Sequence, residues 1–132
     1  MLYCATSESL AMLELRVHSP HPYPRTRWKF ALEVPEDALT TIEAEALPRG
    51  WNSLPPGPAS RRIGDAWVAE NETLGLLVPS VVASDEKNLV LNPSHARFKE
   101  VRVLTKRRIV LDKRLYSMPE KHRLSARGRK RK

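Results

Sequence analysis

One cysteine, Cys4, stands among the 132 residues, so no internal disulfide can form and the composition suits a reducing cytosol. No apolar run approaches the roughly 20 residues that span a bilayer. The N-terminus has no basic segment followed by an apolar core, so no secretory signal is read there. A cytoplasmic protein with no membrane partner is expected. The Gly-rich phosphate loop and the paired Cys or His spacing of a zinc centre are also missing. The four histidines, His18, His21, His95 and His122, are scattered, and a proline separates His18 from His21. Ser80 lacks the G-x-S-x-G setting of a hydrolase elbow. These absences argue against phosphate-loop, zinc and elbow-serine chemistry.

What is present is positive charge, and it is unevenly spread. The net charge is +8, but Lys121, Arg123, Arg127, Arg129, Lys130, Arg131 and Lys132 supply seven of the 23 basic residues, and no acid follows Glu120. Without residues 121–132 the chain holds 16 basic against 15 acidic residues. The pI near 10.1 is therefore mainly a property of the end of the chain. Residues 1–116 are expected to form one domain and 117–132 a basic, disordered tail. Such a tail can contact nucleic acid or any acidic surface through counterion release, or simply be solvated. The folded part is expected to lack basic and aromatic interleaving, which argues against specific nucleic-acid readout there.

The domain is organised around Leu74–His95. Two apolar runs, Leu74–Val78 and Leu89–Leu91, flank a polar link and read as strands buried on both faces. Each stops at a proline dipeptide, Pro79-Ser80 and Asn92-Pro93, because proline cannot donate to a ladder. Ser80 and Asn92 thus stand at the ends of interior strands. Ligands gather at such ends in open sheets, and both residues also suit plain turns.

Upstream, Leu2–Cys4 reads as the end of a strand. Thr6 or Ser7 can cap a helix over Ser7–His18 with an apolar stripe of Leu10, Leu13 and Val17, and Glu14 lies at the stripe's border. The stretch 19–27 is a proline-rich loop. Trp28–Val34 alternates as a half-buried strand, and Leu39–Ala46 is either a short helix or a strand with a turn. Pro58–Asn71 reads as a second helix, in which Gly64 implies close packing. Phe98–Leu104 and Ile109–Leu111 read as two final strands joined by a solvated turn at Lys106-Arg107-Arg108. Helices interleaved with strands imply an α/β fold with a mixed central sheet.

Several blocks in order resemble one family. They are Leu2-Tyr3-Cys4-Ala5, then Ala11-Met12-Leu13-Glu14 with His18, then Ile63–Trp67 and Val78-Pro79-Ser80. Asn88, Leu91–His95 and Leu111–Leu115 complete the set. Together they resemble a RES domain, the toxin half of bacterial RES–Xre toxin–antitoxin pairs. The resemblance implies a mixed sheet flanked by helices, similar to ADP-ribosyltransferases. It implies NAD+ as substrate rather than cofactor, degraded at the nicotinamide–ribose bond by phosphorolysis or hydrolysis. It implies an Xre-type antitoxin as partner, with a homodimer within the toxin–antitoxin complex.

By the same resemblance, Tyr3, Glu14 and Ser80 are active-site residues; Asn92, from its place at a strand end, joins Tyr3 and Ser80 toward the substrate. A carboxylate stabilises an oxocarbenium-like ribose, a phenol ring stacks on nicotinamide, and hydroxyl or amide groups hold ribose or phosphate oxygens. The family also carries an arginine upstream of the tyrosine, in a segment that would precede Met1, so the match is to a domain without its first segment. Two other outcomes follow if that arginine is essential and unreplaced. The chain would then be an inactive RES-like fragment that binds an antitoxin, or a nucleic-acid-binding module acting through residues 121–132.

Overall fold

Leucine- and valine-rich runs that lack alternating polar residues need cover on both sides, and they form the middle of the sheet. The computed structural model describes residues 1–19, 25–55 and 57–116. The core of the proline-rich loop, 20–24, and the expected tail, 117–132, lie outside the described residues. The elements in order are β1 (Leu2–Ala5), α1 (Glu8–His18), β2 (Thr26–Glu33), β3 (Leu39–Thr41), α2 (Pro58–Glu70), β4 (Gly75–Pro79), β5 (Lys87–Leu91) and β6 (Arg102–Val110). A four-stranded sheet has the order β1-β5-β4-β3, and β2 pairs with β6 in a separate ribbon. β3 runs parallel to β4, while β4–β5 and β5–β1 are antiparallel, so the α/β fold has the expected mixed sheet.

The pleat sorts the core into two layers. On one side Leu89 and Leu91 join Leu74 and Ala38, with Cys4, Leu77, Leu32, Val34, Phe98 and Val101 packed around them. On the other side Leu76 and Val90 pack on Trp67, with Val68, Ile42 and Val78. α2 therefore covers one face, and β2 with the segment after β5 covers the other. Trp67 holds its place with an indole N–H donated to Thr73 Oγ1 at 2.9 Å. Gly75 is the tight point of the sheet: a Cβ there would overlap Leu39 and press on Leu89 and Leu91. Gly64, expected to be the close-packing glycine, meets only the Met1 side chain, at ordinary contact distance.

Some sequence expectations change, and one left open is decided. Leu10 alone of the α1 stripe is buried, while Leu13 and Val17 are exposed. The inner side of α1 carries buried Leu10 and, one turn on, the part-buried Glu14, while His18 a further turn on is exposed. Leu39–Ala46 resolves as a strand followed by a 3-10 turn at Ala44–Ala46. The two expected last strands are one, β6, with Lys106–Arg108 inside it and Phe98 in a 3-10 turn at Ala96–Glu100. A Lys-Arg-Arg run holds none of the residues that turn a chain, so the ladder with β2 continues through it. Leu32 in β2 and Val34 just after it reach the core, but Trp28 and Phe30 remain 57% and 51% exposed. The register sets them beside Arg108 and Lys106, and Arg27-Trp28-Lys29-Phe30 alternates along the strand itself, so basic and aromatic residues do interleave in the folded part, against the expectation.

Candidate functional site

The turn from β1 into α1 is tied to the start of β5. Thr6 donates its hydroxyl to the Lys87 carbonyl at 2.7 Å. Ser7, with extended backbone, caps α1 by accepting from Leu10 N–H at 3.1 Å. The Ser7 hydroxyl in turn donates to Glu86 Oε2 at 2.5 Å. Buried Leu10 seats the first turn, and Glu14, one turn further on, faces the same way.

Ser80 follows β4 directly and is 2% exposed. Its amide donates to the Glu86 carbonyl at 2.9 Å, closing the loop between β4 and β5. Its hydroxyl accepts from the amides of Val82 and Ala83, both at 3.1 Å, and donates to Glu14 Oε1 at 2.9 Å. Asn88 Nδ2 donates to the same oxygen at 2.5 Å. The Glu14 side chain is 21% exposed, and its other oxygen lies 3.2 Å from His18 Nε2, on a largely solvated imidazole. One carboxylate oxygen is thus fixed by two donors from the sheet while the other faces His18 and solvent.

The four sequence-predicted residues separate here. Glu14 and Ser80 meet. Tyr3 pairs with Val90 on edge strand β1, and the pleat puts it on the same sheet face as Asn88, whose partner is Ala5. Tyr3 is 71% exposed, and no hydrogen bond joins its hydroxyl to Glu14 or Ser80. Asn92 is elsewhere. Because β4 and β5 are antiparallel, the end of one lies beside the start of the other: Pro79 opposes Lys87 and Gly75 opposes Leu91. Asn92 is four residues from Asn88, roughly 13 Å along the strand. There its amide nitrogen donates to Asn71 Oδ1 at 2.8 Å, its Oδ1 accepts from Ser94 N–H at 3.0 Å, and its backbone N–H donates to Leu74. Asn71 is the left-handed cap of α2, so Asn92 ties a helix end to a strand end. Its placement in the substrate group is not matched by this geometry.

Asn88 is the residue that reading for site chemistry missed. The available signal was arithmetic: antiparallel strands joined by a short loop put Asn88 opposite Val78, and the pleat then puts it on the face of Ser80. A shallow depression on the surface nearby is lined by Glu43, Glu45, Asp85, Glu86 and Lys87 and contains neither Glu14 nor Ser80. Its carboxylates would repel a diphosphate. Among the described residues no helix is long and apolar enough to cross a membrane.

The family model for the RES domain matches residues 1–112. The chain belongs to the RES domain family. It is 35% identical over 119 residues to the Prs ADP-ribosylating toxin of Sphingobium sp. (strain YBL2), a match covering 87% of this chain and 74% of that protein. It is 35% identical over 99 residues to Toxin Res of Yersinia enterocolitica, covering 74% and 65%. It is 34% identical over 93 residues to Toxin Res of Photorhabdus laumondii, covering 70% and 60%. This RES chain therefore spans from three fifths to three quarters of the length of these curated relatives. The matched residues 1–112 take in both Glu14 and its two donors.

Proposed function

We propose that this chain is the toxin of a toxin–antitoxin pair and that it cleaves the bond between nicotinamide and ribose in NAD+. The observation that carries the reading is the meeting of Glu14 with Ser80 and Asn88. Two neutral donors on one oxygen orient the carboxylate without neutralising it, and the second oxygen faces His18 Nε2 at 3.2 Å and solvent. In the reaction the C1′–N bond breaks and its electron pair leaves with nicotinamide, which departs neutral. Positive charge then grows on the ribose ring, and a fixed carboxylate stabilises it more than it stabilises the ground state. Phosphate or water completes the reaction at C1′, with loss of a proton from the acceptor. Transfer to a protein, which the name of the Sphingobium relative describes for that protein, shares the same bond-breaking step.

The roles differ from those drawn from the resemblance alone. Ser80 has its proton committed to Glu14 and its lone pairs to two amides, so it positions the carboxylate rather than reaching for ribose. Asn88 shares that role. Tyr3, exposed on the same face, is free to stack on the nicotinamide ring. The toxin names of the relatives support the biological role, and an Xre-type antitoxin is the proposed neutralising partner.

The test is incubation with NAD+ and phosphate, with free nicotinamide and the ADP-ribose product followed by chromatography. Release that depends on Glu14 is expected. Absence of release, or release equal in Glu14→Ala, would overturn the enzyme reading. A chain that then still bound an antitoxin would be a non-catalytic RES domain.

A further inference from the structure

The ribbon of β2 and β6 carries a face that the NAD+ reading does not use. On the side holding Trp28 and Phe30, the register sets Arg108 opposite Trp28, Lys106 opposite Phe30 and Val110 opposite Thr26. Lys106 Nζ lies 4.9 Å from the Trp28 ring centre and 5.6 Å from that of Phe30. Within 26–33 and 102–110 stand six basic residues, Arg27, Lys29, Arg102, Lys106, Arg107 and Arg108, against one acid, Glu33. Among the described residues no carboxylate pairs with Lys106 or Arg108. Lys29, on the opposite side, is occupied by Glu8 at 2.6 Å. Beyond β6 the sequence adds the seven cations of 121–132.

We propose that this ribbon face binds single-stranded nucleic acid, at a site separate from Glu14. Trp28 and Phe30 are two residues apart, roughly 7 Å along the strand, which lets successive unpaired bases stack on neighbouring rings. Lys106, whose ammonium lies over those rings, and Arg108, opposite Trp28, neutralise the phosphates that the same strand presents. A duplex hides its base faces and cannot use the rings. An acidic peptide would use the cations and leave the rings idle. A second copy of the face would bring like charges together.

The experiment uses the full chain and a fluorescein-labelled oligothymidylate, with anisotropy measured across a salt series. Trp28→Ala combined with Phe30→Ala is expected to weaken binding by about tenfold or more at fixed salt. Lys106→Gln combined with Arg108→Gln is expected to reduce the log–log salt slope by about 1.4, the share of two phosphate contacts on a single strand. A change of less than about twofold in the ring variant would assign binding to residues 121–132 and overturn the proposal. Equal affinity for duplex would overturn it, and so would displacement by polyglutamate as effective as by unlabelled oligonucleotide. If the double ring variant does not fold, Trp28→Phe and Trp28→Leu decide, each checked by its melting curve. The first should keep binding and the second lose it, and equality of the two would overturn the proposal.

Discussion

The two ends of the β4–β5 pair read alike in sequence and do different work in the fold. Each is a buried polar residue at the edge of an apolar run beside a proline. At the Ser80 end, a helix from the other side of the chain brings in a carboxylate, and the sheet supplies donors to one of its oxygens. At the Asn92 end, the partners are the Asn71 amide and backbone groups, with no charge involved. Beside Asn92 the sheet is also at its tightest, with Gly75 wedged among Leu39, Leu89 and Leu91. A polar residue at a strand end therefore joins a cluster with a carboxylate only where another element brings one to it. Otherwise it satisfies the backbone of its neighbours.

Substitutions can break this contrast or sharpen it. The largest effect is expected from Glu14→Ala, which should lower nicotinamide release by about a hundredfold or more, as loss of a transition-state charge partner does. Asn92→Ala should leave release unchanged, and a loss comparable to that of Glu14→Ala would erase the distinction between the ends. Next comes Asn88→Ala. Removing one donor from a carboxylate should cost about tenfold in kcat with little change in KM. Asn88→Gln, which keeps the amide, should recover part of it.

On the stability side, Gly75→Ala should destabilise the fold by about 1–3 kcal/mol through overpacking, read as a lower midpoint in a urea melt. Asn92→Ala should cost about 1–2 kcal/mol in the same melt through the lost Asn71 and Ser94 bonds. The smallest effect lies away from both ends. Arg114 beside Asp112, aided by its own backbone N–H, holds the Asp112 carboxyl down to about 2. The folded value lies below the usual aspartate value, so the pair stabilises the fold above about pH 4 and loses that contribution as pH falls through 2. NMR titration of Asp112 should show the low value, and Arg114→Ala should move it up.

Much of the local structure could be read from particular residues. Pro79 and Pro93 bracketed the two central strands, Ser7 marked the start of α1, and Pro58 with Asn71 bounded α2. Errors arose where partners distant in sequence decide. The α1 stripe through Leu13 and Val17 was apolar, but the sheet lies under Leu10 and Glu14 instead. The basic run at Lys106–Arg108 looked like a turn until β2 was available to pair with it. Asn92 was grouped with Ser80 because both followed strands, and strand direction separates them.

The amino-acid order alone determined that the two central strands stop at Pro79 and before Pro93, that the first helix is capped at Thr6 or Ser7, that positive charge gathers after Glu120, and which family the blocks resemble. These depend on backbone chemistry and composition over a few residues. Only the tertiary structure decided that Glu14 meets Ser80 and Asn88, across separations of 66 and 74 residues, while Asn92 goes to a helix cap. Pairing direction and register carry that information, because reversing one strand exchanges its ends while leaving every local preference unchanged.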